Sequence, residues 1–227
     1  MDREQLSEAQ YQQILLCLAT EHSALQSARS TTVSETNGRV SLFLGTVSSA
    51  LIALGFLGQG SASGASFFAF GLVLFPALFF LGLATFVRVL QASIEDLLYA
   101  RGINRIRHYY LELAPQMRDY FILAPYDDMI SVIRNMGVIP SHWQLLFTAA
   151  GMVAVINSVL AGVLVGVLIT SSLGLSLPLG AAGGFGVFLV SVVAHQRYQG
   201  VLRRRSSEHV PVLFPGPVAD EHAQPQG

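Results

Sequence analysis

Lysine is absent from this chain, and all thirteen of its basic residues are arginine. Cysteine is nearly absent too. With Cys17 alone, no intrachain disulfide can form and no cysteine-rich metal site can be assembled. Cys17 itself reads as an inert packing residue. Charge is scarce: 12% of the 227 residues are charged and 52% are hydrophobic, with a mean hydropathy of +0.53. A soluble domain carries about 25% charged residues, so this composition belongs in a bilayer. The net charge of -1 and pI near 6.6 give no general attraction to nucleic acid.

Catalytic patterns are missing as well. The six histidines show no HxxxH or HxxE spacing, and no GxSxG, Walker loop or zinc pattern occurs. The expectation is therefore no enzyme activity, no metal and no cofactor. The first fifteen residues, MDREQLSEAQYQQIL, are polar and acidic, whereas a secretory signal opens basic and turns apolar at once. No cleavable signal is expected. No ionisable residue lies deep in an apolar run, which argues against carboxylate-driven coupling or a divalent-cation pore.

What the chain does have is four apolar runs, about 40–58, 66–90, 144–170 and 178–194, each long enough to span a membrane. The arginines lie outside or at the edges of these runs. Arg3, Arg29 and Arg39 precede the first; Arg88, Arg101, Arg105, Arg107, Arg118 and Arg134 fall between the second and third; Arg197 and Arg203 to Arg205 follow the fourth. The two short connections, 59–65 and 171–177, are uncharged. Positive residues collect on the cytoplasmic side, so the expected fold is an all-α integral membrane protein with four transmembrane helices in two hairpins. Both termini are expected in the cytoplasm, and the location is the plasma (inner) membrane.

Five segments follow: a cytoplasmic amphipathic helix and hinge at 1–38, a hairpin at 39–91, a cytoplasmic helical insert at 92–142, a second hairpin at 143–195, and a basic, then disordered, cytoplasmic tail at 196–227. In the first, Tyr11, Leu15, Leu18, His22 and Leu25 recur at heptad spacing. The turn formers of STTVSETNG predict a helix break at 30–38, with Asn37 and Gly38 as hinge. Pro76 predicts a kink in the second span. Beyond Arg88 the apolar residues become periodic, so the second span is expected to continue as a helical stalk, ending before Pro115. Asp127 and Asp128 suit the start of a short helix and Gly137 its stop.

Small residues mark three packing seams: Ala150, Ala154, Ser158, Gly162 and Gly166 in the third span, Gly180 and Gly184 in the fourth, and Gly45, Ser49 and Ala53 in the first. Each can serve within a subunit or between subunits, and self-association is expected. Asn157 in the third span and the hydroxyls of Thr46, Ser48 and Ser49 in the first are candidates for a pore lining, with bonding across to another helix the favoured role for Asn157. His142, Trp143 and His195 at span ends fit the interfacial belt. Between the stalk and the third span, Arg101, Arg105, Arg107 and Arg118 alternate with tyrosines; with Arg88 they are candidates for holding an anionic lipid or another anionic ligand, or for lying along the inner leaflet.

The runs RVSLFLGTVSSALIALGF, FFAFGLVLFPALFFLGLATFVRVLQ and INRIRHYYLELAPQMRDYF resemble a group of uncharacterised multi-span membrane proteins of actinobacteria, a likeness that covers most of 39–197. It implies a plasma-membrane location and carries no activity. The architecture is also similar to small bacterial defence effectors that join a few membrane helices to a cytoplasmic helical part. The leading expectation is a self-associating four-span protein forming an oligomeric channel or pore, anion-conducting or weakly selective, with Arg39 and Arg88 near the inner mouth. The alternative is a non-conducting scaffold or signalling module whose cytoplasmic helices bind a protein or nucleotide. Expected partners are the lipid bilayer, further copies of the chain and an anionic lipid or cytoplasmic partner, with no nucleic acid.

Overall fold

A computed structural model describes residues 7–59, 64–137, 142–208 and 210–217. The fold is all-helical, 88% helix with no strands among the described residues. Helix α1 runs Glu8–Gln59, α2 Gly64–Leu113, α3 Met129–Asn135, α4 Ala149–Ser172 and α5 Leu177–Glu208, with short 3-10 turns at Pro115–Tyr120 and His142–Phe147. Four of these helices are long and apolar enough to cross a membrane. Their apolar windows leave large side chains uncovered, among them Leu42, Phe56, Val73 and Val190, each more than 70% exposed. The chain divides into two compact units. One comprises Met1–Val33, Ile94–Pro140 and Ser206–Gly227; the other Ser34–Ser93 and Ser141–Arg205.

The helix break expected at 30–38 does not occur: α1 is continuous through it. Two local effects keep it helical. The hydroxyls of Thr31 and Thr32 donate to the carbonyls of Ser27 and Ala28 one turn back, so the residues that could have competed for the backbone are satisfied inside the helix. Glu35 and Arg39 then pair one turn apart at 2.8 Å. The half-buried heptad stripe of Tyr11, Leu15, Leu18, His22 and Leu25 carries on through Thr32 into Phe43, with Val40 and Val47 one residue later in phase. Asn37 and Gly38 are exposed helical residues, not a hinge.

Helix α2 passes through Pro76 without interruption and ends at Leu113, two residues before Pro115. Helix α4 starts later than its apolar run suggests. Thr148 caps it, accepting from the Gly151 amide at 3.1 Å, while its hydroxyl donates to the Leu145 carbonyl at 2.9 Å. The preceding turn folds so closely over the helix start that a Cβ on Gly151 would lie 2.0 Å from the Leu145 oxygen. Gly174, with φ of 61°, supplies the left-handed turn between α4 and α5. The tail is expected to be basic and then, over 211–227, disordered; 211–217 are ordered instead, and 218–227 lie outside the described residues. Helix α5 carries the three successive arginines inside it and ends at Glu208, and 210–217 make defined hydrogen bonds described below.

Within the Ser34–Ser93 and Ser141–Arg205 unit the core is aromatic and branched: Phe43 and Val47 from α1, Phe75, Leu78, Phe86 and Leu90 from α2, Val153 and Leu160 from α4. Contacts between α1 and α2 fall in register, Gly58 against the Phe67 ring, Phe43 against Gly82, and Glu35 with Arg88 at 3.4 Å. Within the other unit α1 and α2 meet through Leu25 against Gly102 and through Arg29, whose Nε donates to Asp96 at 2.7 Å. Cys17 is exposed on α1 rather than packed, because it lies off the stripe that faces α2.

Candidate functional site

The seams of α4 and α5 close on each other. A Cβ on Gly162 would lie 2.7 Å from the Gly184 carbonyl, one on Gly184 2.5 Å from the Gly162 carbonyl, and one on Gly166 3.1 Å from the Gly180 carbonyl. Backbone meets backbone, and only glycine allows it. The seam continues through buried Ser158, whose hydroxyl is 2.9 Å from that of Ser191, with Ala150 and Ala154 buried on the same face. An apolar groove of about 520 Å³ remains beside this contact, bordered by Val163, Val167, Phe185 and Phe188.

The seam of α1 is different. Gly45, Ser49 and Ala53 are exposed, and no described residue approaches within 4 Å of where a Cβ on Gly45 would stand. Thr46 and Ser48 share this uncovered part of α1; the Thr46 hydroxyl donates to the Leu42 carbonyl at 2.8 Å, which leaves its lone pairs outward.

Asn157 is separated from those hydroxyls. It is fully buried, its amide pressed on Gly82 of α2, where a Cβ would lie 2.2 Å from Oδ1. Both its Nδ2 and Oδ1 are buried without a protein hydrogen bond. It therefore neither faces the open α1 seam nor bonds across helices. A buried polar atom left unpaired costs about 1–3 kcal/mol, and the same unit holds more of them along α5: His195 Nε2, both amide atoms of Gln199, and Arg203 Nε. His195 does not sit in a lipid-facing belt. It is buried, its Nδ1 2.8 Å from the Ser191 carbonyl and its ring edge-on to Phe86. The side chains of His142 and Trp143 lie outside the described residues.

The arginine candidates are mostly engaged by the protein itself. Arg39 and Arg88 both bind Glu35, and the Arg39 guanidinium, followed by that of Arg88, holds this carboxyl below its usual range. In the unit containing Ile94–Pro140, Arg101 is 3% exposed and donates from Nε to the Asp127 carbonyl at 2.9 Å and from Nη2 to the Pro211 carbonyl at 3.2 Å. Arg105 Nε donates to the Asp127 carboxylate at 2.7 Å, and its Nη2 to the Pro211 carbonyl. Arg107 donates to Asn104 Oδ1 at 2.7 Å and to the Ala124 carbonyl at 3.3 Å. Of these six arginines, Arg118 alone is exposed without such bonds among the described residues, in a turn flanked by exposed Met117, Tyr120 and Ile122.

These arginines build a clasp that the sequence does not announce. Asp127, fully buried, accepts the amides of Leu213 at 3.1 Å and Phe214 at 2.8 Å. Burial alone pushes its carboxyl up; the Phe214 amide, the Arg105 guanidinium and the Leu213 amide outweigh that and leave its pKa below the ordinary 3.8. Asp128 has two tasks: one carboxylate oxygen caps α3 by accepting from Ser131 N at 2.9 Å, and the other accepts the Gly216 amide at 2.9 Å. A Cβ on Gly216 would lie 3.0 Å from that oxygen, so the glycine permits the approach. His108 stacks on Phe214 with ring centroids 4.0 Å apart. The only sequence signal for the clasp was the Asp127–Asp128 pair, read there as a helix start; Asp128 alone serves that role, and Asp127 reaches the tail.

No protein-family model, curated protein or solved structure matches this chain. The likeness to actinobacterial multi-span proteins thus rests on the three runs quoted for it. Among the described residues no cluster of histidine, cysteine, aspartate or glutamate could hold a metal ion.

Proposed function

We propose that this protein is a self-associating, multi-pass membrane protein whose copies meet along α1 and form an anion-conducting or weakly selective pore there. In this reading α1 with α2, and α4 with α5, cross the inner membrane as two hairpins, with both termini in the cytoplasm. The observation that carries it is the contrast between seams. Those of α4 and α5 are consumed against each other, whereas Gly45, Ser49 and Ala53 remain uncovered beside the hydroxyls of Thr46 and Ser48. A small-residue face in lipid gains from close helix packing, and a second copy of the same face satisfies it. Hydroxyls without a carboxylate favour anions or weak selectivity. Because Arg39 and Arg88 are held by Glu35, selectivity in this proposal comes from the hydroxyls rather than from those arginines.

The test is a Gly45→Leu, Ser49→Leu variant. None of the described residues occupies that space, so the variant folds with unchanged thermal stability but runs as a monomer in detergent and carries no current in planar bilayers. A wild type that is monomeric over a wide concentration range, or a variant that still conducts, overturns the proposal. A second reading, a non-conducting scaffold, draws on the exposed Met117, Arg118, Tyr120 and Ile122, the last 97% exposed. Under it, the wild type passes no current and Ile122→Asp removes partner binding.

A further inference from the structure

One turn separates Gln199 from Arg203, on a single face of α5. Gln199 is fully buried, and both atoms of its amide lack a protein partner, so the assignment of nitrogen and oxygen does not alter the point. Arg203 is partly buried. Its Nη2 donates to the Ser93 hydroxyl at 3.4 Å, and that hydroxyl in turn donates to the Leu90 carbonyl at 2.8 Å. Its Nε is buried with no partner, and among the described residues no carboxylate pairs with it. Burial accordingly lowers its pKa without a neighbouring acid to restore it.

A partly buried cation without a counter-charge, one helical turn from a buried amide without partners, is retained at a cost unless something binds both. The complement is defined by the atoms. Arg203 Nε and the Gln199 amine are donors and call for anionic oxygens; the Gln199 carbonyl is an acceptor and calls for a hydroxyl in the same ligand. We propose that Gln199 and Arg203, with Ser93 positioning the guanidinium, form a binding site for a hydroxyl-bearing phosphate group, supplied by an anionic lipid head such as phosphatidylglycerol or by free inorganic phosphate. A carboxylate or simple halide satisfies the donors and leaves the Gln199 carbonyl unpaired. Arg203, being only partly buried, is the side from which the ligand reaches the buried amide. The site does not depend on conduction: binding without current leaves it standing and removes only the pore.

The experiment uses the full chain in a neutral detergent, with native mass spectrometry against phosphatidylglycerol and phosphatidylcholine, and equilibrium dialysis against radiolabelled inorganic phosphate. The expected result is saturable binding of one phosphatidylglycerol or one phosphate per chain, and none of phosphatidylcholine. Competition between the two probes shows that they share the site, and the tighter binder identifies the source. Arg203→Gln and Gln199→Leu each weaken binding at least tenfold, whereas Arg197→Gln, an exposed arginine of the same helix, leaves it unchanged. Gln199→Leu replaces an unpaired amide with an apolar group, so its helical melt is equal to or above wild type, which separates lost binding from lost folding. Should that variant not fold, Arg203→Lys decides: it keeps the charge, loses the forked donors, and weakens binding without abolishing it. No saturable binding, equal effects of Arg197→Gln and Arg203→Gln, or full binding by Gln199→Leu or Arg203→Lys overturns the site.

Discussion

Replacing Asp127 with asparagine tests whether the tail is held by charge. The carboxylate accepts from Arg105 at 2.7 Å and from the Leu213 and Phe214 amides at 3.1 and 2.8 Å, all donors. Asparagine retains one acceptor oxygen, so in either orientation its amine points at a donor and at least one bond is lost. A hydrogen bond to a charged group contributes about 1.5–3 kcal/mol. Removing one partner of a fully buried ion pair costs about 3–5 kcal/mol. The Arg105 side chain is 29% exposed and can turn to water, whereas that of Arg101, at 4%, cannot. The lower end therefore applies, about 3 kcal/mol, or roughly 100-fold in the opening equilibrium. Hydrogen exchange by mass spectrometry on a peptide covering 210–217 reads this directly, with the Leu213 and Phe214 amides exchanging about 100-fold faster in Asp127→Asn. The pH arm has a fixed sign. Because the folded carboxyl titrates below 3.8, the clasp is at full strength above pH 3.8 and loosens as pH falls through the lower, folded value. Asp127→Asn lacks that transition. Exchange within threefold of wild type would refute the argument.

Three further substitutions probe the other unit. Gly162→Ala drives a methyl into the Gly184 carbonyl and costs about 1–3 kcal/mol in a detergent unfolding titration, while Gly186→Ala, with nothing within 4 Å, is neutral or gains roughly 0.5–1 kcal/mol. Asn157→Leu removes two unpartnered buried atoms at similar volume and leaves stability unchanged or about 1–2 kcal/mol higher; a large loss by the same titration would mean that Asn157 bonds to something in the assembled protein.

The helices were readable because their signals are local. Continuous apolar runs, the return of periodicity after Arg88, and Pro115 as a stop each act within a few residues. The break at 30–38 was misread because composition alone weighs serine and threonine as turn formers, while Thr31 and Thr32 had carbonyls one turn back to bond and Thr32 a stripe to continue. The candidate sites were less legible, since pairing across long separations decides them. Arg105 looks like an open cation in sequence and is closed by Asp127 and Pro211. Gln199 and Arg203 looked like part of a basic tail because the fourth apolar run stops at Ala194, and nothing nearby in sequence says that α5 stays buried on one face for another two turns.

The two adjacent acids fasten the tail by its main chain, not by its side chains. Donors are taken at positions 213, 214 and 216, while prolines, which have none to give, stand at 211, 215 and 217. The lettering of this strap is consequently free to vary at Val212 and Leu213, whose side chains face outward, but its spacing is not. A single inserted residue slides every amide off its acid, whereas a tail that keeps the same frame, the glycine at 216 and the ring at 214 fastens equally well.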